Sequence, residues 1–452
     1  MSNFRPVDRH TAYLLPPSID EWLPEDHLAR FILEVVDGLD LRSIEQVYGG
    51  RGSEAYHPSV LLALLLYGYA TGVFSSRKIE RATYDSVAFR FLAAGSHPDH
   101  DTLATFRRRF LNEFTEIFLQ VLMIAHEMQM LKFGSVSLDG TKVHANASRH
   151  SALSHGHIEK LEAQLKAEVQ ELLALAEEAD RSKVPDGMNL PEEIQRRADR
   201  LAAMEAAKSK IEARAKARYE REKAEFDSKL AAREEKQKKT GKKPGGKPPE
   251  PPVEGPKAQD QINLTDEESR IMPVSAGGFE QAYNAQAAVD TDSMLVVMSA
   301  VTPAPNDKEQ VKPMLKKLAD LPTSLGKIDR LLTDNGFAST ENIQACEAAG
   351  IEPFMAVRRE SHHLDWQERF GEPEALPEDA TPEQKMSHKL RTQAGRAVYA
   401  LRKQTVEPVF GIIKSVMGFR QFSLRGLQQV EGEWTLVCLA WNLKRMAALR
   451  PQ

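Results

Sequence analysis

The 452-residue chain is short of several things, and each shortage excludes a class of protein. Cysteine occurs twice, at Cys346 and Cys438. The two lie too far apart for a CxxC metal or redox motif and can close at most one disulfide, which excludes a disulfide scaffold and predicts a reducing, cytoplasmic setting. No apolar run reaches the ~20 residues of a membrane span. The most apolar early stretch, VLLALLLYGYATGVF from Val60 to Phe74, predicts a buried helix instead, and no membrane partner is expected. The first residues, MSNFRPVDRHTAYLLPPSIDEW, carry scattered charges and no apolar core before a small-residue cleavage site, so they do not read as a secretory signal. A Walker-type glycine loop and a GxSxG motif are both missing, which removes the usual supports of ATP hydrolysis and serine esterase chemistry. An excess of one charge is missing too, since 60 Lys or Arg face 65 Asp or Glu for a net charge of -5.

That neutrality is a sum over unlike parts. From Ala400 onward there are eight Lys or Arg against three Glu, and residues 236 to 247 hold six lysines and no acid. The remainder is acidic, so the average says little about a polyanionic partner, because a cationic groove hides easily inside a neutral mean.

Along the chain the texture changes several times. Residues 1–130 read as an N-terminal helical domain, with Asp26 and Asp101 as candidate caps, a break over Gly72 to Ser76, and one last long helix from Thr102. Short helices joined by tight turns permit a helix-turn-helix and a DNA-binding role. Arg77 and Lys78 after the Ser75 and Ser76 turn, and Arg107, Arg108 and Arg109, are its candidate DNA contacts. Residues 131–156 and 262–446 read as an α/β core. Its elements run strand, long insertion, strand, strand, helix, strand, helix, strand, helix, which implies a mixed sheet with helices packed on it. The insertion at 157–239 has apolar residues at helical spacing, Leu161, Leu165, Val169 and Leu172, then Ile194, Leu201, Met204 and Ile211. With turn residues between the two sets, it predicts an antiparallel helical hairpin. The Lys- and Pro-rich stretch 240–261 predicts a disordered linker.

Two aspartates stand out. Asp139 in SLDGT and Asp334 in LLTDNGF each end a predicted strand and meet a loop at once. Carboxylates held there face the crevice where α/β sheets commonly place their chemistry. Gly140 and Gly336 permit sharp exits and close backbone approach. An Asp at a strand end is also an ordinary turn residue. A third element is YALRKQTVEPVFGIIKSVMGF, whose Val406, Val409, Phe410, Ile413 and Met417 form an apolar stripe. Tyr399, Lys403, Glu407 and Lys414 step along a neighbouring helical face. Pro408 predicts a kink or a helix start there.

The segments SLDGTKVHANAS, FEQAYNAQAAVD, LLTDNGF and YALRKQTVEPVFGIIK resemble the signature segments of bacterial DDE transposases, specifically the insertion sequence 1182 family within the broader insertion sequence 4 group. The resemblance extends from LPPSIDEWLPEDHLARFI to GFRQFSLRG, nearly the whole chain. It implies a ribonuclease H-like core in which Asp139, Asp334 and Glu407 bind divalent metal, Mg²⁺ or Mn²⁺, two ions per site. It implies double-stranded DNA as partner, namely transposon terminal inverted repeats and target, and a homodimer on that DNA. The Tyr, Arg, Glu, Lys pattern of the broader group is similar to Tyr399, Arg402, Glu407 and Lys414. Lys403 has the usual spacing to Glu407, whereas Arg402 lies one residue further off. Such chemistry suits the residue types: two hard cations ~3.5 to 4 Å apart stabilise the attacked phosphorus, the nucleophile and the leaving oxygen. In that arrangement Asp139 bridges the ions, Asp334 and Glu407 complete one site each, and Arg402, Lys403, Lys414 and Lys142 hold backbone phosphates.

Other readings stand beside it. His144, His150, His155 and His157 suggest a structural zinc site, but without cysteine and without a standard ligand spacing. His97, Asp99, His100 and Asp101 fit a turn and helix cap, and His362 and His363 a solvated stretch. A transposase-derived protein that binds DNA without cutting, or a nuclease that hydrolyses without joining, are the functional competitors.

Overall fold

A computed structural model describes residues 18–48, 54–178, 190–240, 248–274, 277–357 and 379–450, with 371, 373 and 375–377. The chain forms two compact units. One is drawn from residues up to Val143 and from Tyr283 onward, and the second is His144–Ala282.

The first unit begins as helices α1 (Ile19–Trp22), α2 (Leu28–Asp37), α3 (Arg42–Glu45), α4 (Pro58–Ala70), α5 (Ser76–Asp85), α6 (Val87–Leu92), α7 (His100–Arg109) and α8 (Glu113–Glu127). The apolar run becomes α4, whose residues from Leu61 to Ala70 are buried all round, as a helix without a polar face must be. Pro58 opens it where its missing N–H costs nothing. Asp26 and Asp101 are not the caps, although the turn-and-cap reading of residues 97–101 holds at Asp99. His27 Nδ1, not Asp26, accepts the Ala29 N–H of α2, and Asp99, not Asp101, caps α7. The predicted last helix is two, since the chain breaks over Phe110 to Asn112 before α8.

Strands β1 (Ser135–His144), β5 (Phe279–Asp290), β6 (Val296–Thr302), β7 (Arg330–Thr333) and β8 (Glu352–Met355) form the mixed sheet, in the order β6-β5-β1-β7-β8. β1, β7 and β8 are parallel, with Leu138 opposite Thr333 and Thr333 opposite Met355. β5 and β6 pair antiparallel as a hairpin. Helices α11 (Val311–Ala319) and α12 (Thr340–Ala348) connect the later strands. They are followed by α13 (Pro382–Arg391), α14 (Gln393–Gly411), a π turn over Ile412–Val416, and α15 (Leu427–Leu449). α15 is buried along most of its length and supplies Trp434, whose indole N–H donates to the Gln286 carbonyl at 2.9 Å. Asn442 brackets the start of β6, accepting from the Val296 N–H and donating to its carbonyl, each at 2.8 Å. Also on α15, Glu433 is fully buried. It accepts from the Tyr69 hydroxyl and from the N–H groups of Ser423 and Leu424, while Arg107 donates to the same hydroxyl.

The second unit pairs β2 (Ala152–Ser154) with β3 (Gln261–Asn263), and β4 (Arg270–Pro273) with the first residues of β5. The insertion is helical as expected: α9 (His155–Glu178) and α10 (Leu190–Thr240) share a core of Ile158, Leu165, Met204, Ala207 and Ile211. Residues 181–189, the predicted turn, lie outside the described residues, as do 241–247 and the stretch holding His362 and His363. The proposed linker is not uniform. Its end is fastened to α10, where Arg218 pairs with Asp260 at 2.7 Å and donates to the Gly255 carbonyl at 3.2 Å, and Gln261 already starts β3. β2, β3 and β4 also belong with the hairpin, so the inserted unit is wider than residues 157–239.

Candidate active site at the end of the sheet

Asp139 does not end its strand. β1 runs on to His144, and Gly140 lies inside it. The glycine serves close approach only: a Cβ there would come within 2.5 Å of Asp307 Oδ1, 2.2 Å of Gln286 Nε2 and 2.7 Å of Asn284 Oδ1. Asp334 does follow β7 directly, because the parallel register with β1 ends at Thr333. Each aspartate accepts a backbone N–H at 2.8 Å, Asp139 from Gly140 and Asp334 from Gly336. These bonds fix the carboxylate planes at neighbouring positions of the two central strands.

Glu407 arrives on α14. Pro408 neither starts nor ends that helix, which opens at Gln393 and runs through the proline to Gly411. The irregularity falls afterwards, in the π turn that carries Lys414, a wide turn of the kind often found at functional sites. Between the acids lies Arg402. Its Nη1 donates to Asp139 Oδ2 at 3.1 Å and its Nη2 to Glu407 Oε1 at 2.8 Å, with the Arg402 side chain only 9% exposed. Of the two candidate cations, Arg402 is the one that bridges the acids, and Lys403 is exposed. Arg402 lies on the buried flank of α14, and its long side chain reaches the acids from there. Tyr399 ties α14 to the sheet by donating to the Thr333 carbonyl at 3.2 Å, one residue before Asp334.

The charges show how strongly this end concentrates negative potential. Burial, and then the nearby Asp334, push the Asp139 carboxyl up to about 6, against the opposing pull of the Gly140 N–H and Arg402. Burial works against the Arg402 charge, but Tyr399, Asp139 and Glu407 outweigh it and raise its pKa. Lys142 and Lys414 are both lowered, chiefly by burial, and Lys414 further by Lys142 and Arg420. Lys414 donates to the Lys142 carbonyl at 2.8 Å, and Lys142 lies 3.9 Å from Asp307.

Among the described residues, no group of three or more His, Cys, Asp or Glu stands arranged to hold a metal ion. The guanidinium of Arg402 takes the space between Asp139 and Glu407. The donor chemistry nevertheless fits a hard cation: carboxylate oxygens, a carboxyl held off its charged form by burial and like charge, and Asp334 Oδ1 and Asp307 Oδ2 both close to where a Cβ of Gly336 would stand, at 3.0 and 3.7 Å.

The expected DNA contacts divide. Arg77 and Lys78 are exposed on α5, and Arg108 and Arg109 are exposed at the end of α7, where Arg109 also lies over the Tyr48 ring. Arg107 is a correction: it is 7% exposed and bonded to Tyr69 and the Phe74 carbonyl, because it faces the bundle interior rather than solvent. Sequence reasoning missed Asp307, Asn284 and Gln286. The available signal was a pair of amides two residues apart in an otherwise apolar strand, in AYNAQAAVD.

A family model described as a transposase DDE domain matches residues 252–443, and one described as a transposase domain (DUF772) matches residues 17–109. No curated protein and no solved structure matches the chain.

Proposed function

The chain is a DDE transposase, an enzyme class that cuts and joins DNA, and from that premise we propose that Asp139, Asp334 and Glu407 are its catalytic acids, acting on the ends of an insertion sequence. The observation that carries this reading is the Arg402 bridge, which joins Glu407 to Asp139 although the chain separates them widely.

The family implies a divalent cation, and the reading takes it as two Mg²⁺ or Mn²⁺ ions. When bound, such ions supply charge stabilisation at phosphorus and an activated oxygen nucleophile. Asp139, Asp334 and Glu407 hold them. Arg402 leaves the acids and turns to backbone phosphate. Lys142 and Lys414, half-buried cations whose charge burial disfavours, gain most from a phosphate brought against them. Arg420, which donates to the Lys414 carbonyl at 3.0 Å, extends that cationic edge. Arg77, Lys78, Arg108 and Arg109 meet flanking duplex, so DNA affinity falls steeply with salt. Tyr399 keeps α14 registered on β7 and stands among the proposed DNA contacts. The same reading places the enzyme in the cytoplasm as a homodimer on paired terminal repeats, within the insertion sequence 1182 family.

The test is cleavage and strand transfer of labelled DNA carrying the sequences that flank the reading frame, in Mg²⁺. Asp139→Asn, Asp334→Asn and Glu407→Gln are each expected to lose about 10²–10³-fold or more, the order that removing one charge-stabilising group costs. Near-normal cutting by any of the three overturns the assignment of that acid.

A further inference from the structure

Asp307 was not singled out by any motif. It lies in the loop between β6 and α11, yet it is held more firmly than an ordinary loop carboxylate. Its Oδ1 accepts from Asn284 Nδ2 and from Gln286 Nε2, both at 2.6 Å. Those amides project from alternate residues of β5, the strand beside β1, and both residues are fully buried.

Aiming two amide NH₂ groups at one oxygen has a consequence. It leaves Asn284 Oδ1 and Gln286 Oε1 buried without a hydrogen-bond partner. Turning either amide over would set its oxygen against the carboxylate, so the donors must face Asp307 and the carbonyls must stay orphaned. A buried orphan acceptor costs about 1–3 kcal/mol, and two of them beside the catalytic carboxylates call for a compensating ligand. An amide carbonyl, like a carboxylate, is a hard oxygen donor suited to a divalent cation. Gly140 completes the arrangement, because any side chain there would collide with both amides and with Asp307. Asp307 also reaches the other aspartate: the space a Cβ would fill at Gly336 lies 3.0 Å from Asp334 Oδ1 and 3.7 Å from Asp307 Oδ2. Lys142, at 3.9 Å, is a looser neighbour than either amide.

We propose that Asp307 is a fourth carboxylate of the cation site, oriented by Asn284 and Gln286, and that these three residues set how tightly the Asp139 and Asp334 end of the sheet holds a divalent ion. This rests on the reading of Asp139 as a metal-binding acid and assigns that site residues the three-acid pattern does not include.

The test measures Mn²⁺ binding to the full-length protein without DNA, by titration calorimetry and by the electron paramagnetic resonance of free Mn²⁺. Asp307→Asn is expected to weaken binding about 10–100-fold, the range for groups that position or supplement metal ligands, with an unchanged melting curve in EDTA. The double variant Asn284→Ala with Gln286→Ala keeps the carboxylate but frees it, and is expected to weaken binding severalfold. It decides the matter alone if Asp307→Asn does not fold. Asp139→Asn serves as reference. Weakening by Asp139→Asn together with wild-type binding in the Asp307 and amide variants overturns this inference and leaves the three acids in place. Wild-type binding in Asp139→Asn as well overturns the reading of the site itself.

Discussion

The two units hold their charged groups in opposite ways. In the first, Arg402 reaches across 263 positions of sequence to Asp139, and Tyr69 across 364 to Glu433, in buried or half-buried surroundings. In the second, several pairs are neighbours on one helix, such as Lys166 with Glu162, Arg196 with Glu193 and Lys229 with Glu225, and most side chains of these three are exposed. Solvated i,i+3 and i,i+4 pairs support a helix by tenths of a kcal/mol. Buried, long-range pairs add little net stability, but they punish the loss of one partner, which leaves the other charge stranded. The difference teaches where function resides: long-range charges need the whole fold to meet, whereas pairs such as Lys166 with Glu162 and Lys229 with Glu225 need only one helix.

The largest effect separating the regions is expected at Glu433. Glu433→Ala removes the acceptor of Tyr69 and of two backbone N–H groups and deprives buried Arg107 of the charge that Tyr69 relays to it. We expect about 3–5 kcal/mol of lost stability by chemical denaturation. Lys229→Ala, which breaks an exposed pair to Glu225 in the hairpin, is expected to leave the unfolding midpoint nearly unmoved. Equal shifts for the two would erase the comparison.

A smaller effect sharpens it through pH. The folded Asp139 carboxyl titrates at about 6 rather than near its ordinary 3.8, so the folded protein binds this proton more tightly than the unfolded chain. Its contribution is therefore fully present below the ordinary value and is lost as pH rises through about 6. In EDTA, Asp139→Asn abolishes that loss. Relative to the parent it gains about 1–3 kcal/mol between pH 4 and pH 8, read from urea midpoints at both values. No relative gain would mean that Asp139 is not held off its charged form.

Much of this was legible in the sequence. The succession of strands and helices along the chain, the helical insertion and the choice of Asp139, Asp334 and Glu407 as candidate acids follow from periodicity and from the four signature segments. The rest depends on tertiary contact. Spacing left Arg402 and Lys403 both open, because helical periodicity ranks faces and not the reach of a side chain; the contacts of the guanidinium with Asp139 and Glu407 exist only in the fold. Arg107, Arg108 and Arg109 look alike in sequence, but the turn of α7 sends the first inward. The strand was expected to stop at Asp139 because Asp-Gly so often marks a turn. Here the glycine is required by the side chains that crowd over it, and the strand continues. Asp307 had no local mark at all, since it lies in a loop and its partners Asn284 and Gln286 lie on β5.

The central claim is that three acids from distant parts of the chain form one cation centre. Replacing Mg²⁺ with Fe²⁺ and adding ascorbate and peroxide cuts the polypeptide wherever it lies against the bound iron, and the fragments are mapped by mass spectrometry. The account predicts cuts beside Asp139, Asp334 and Glu407 together, all suppressed by excess Mg²⁺. Cuts beside the two aspartates with none near Glu407 would contradict it.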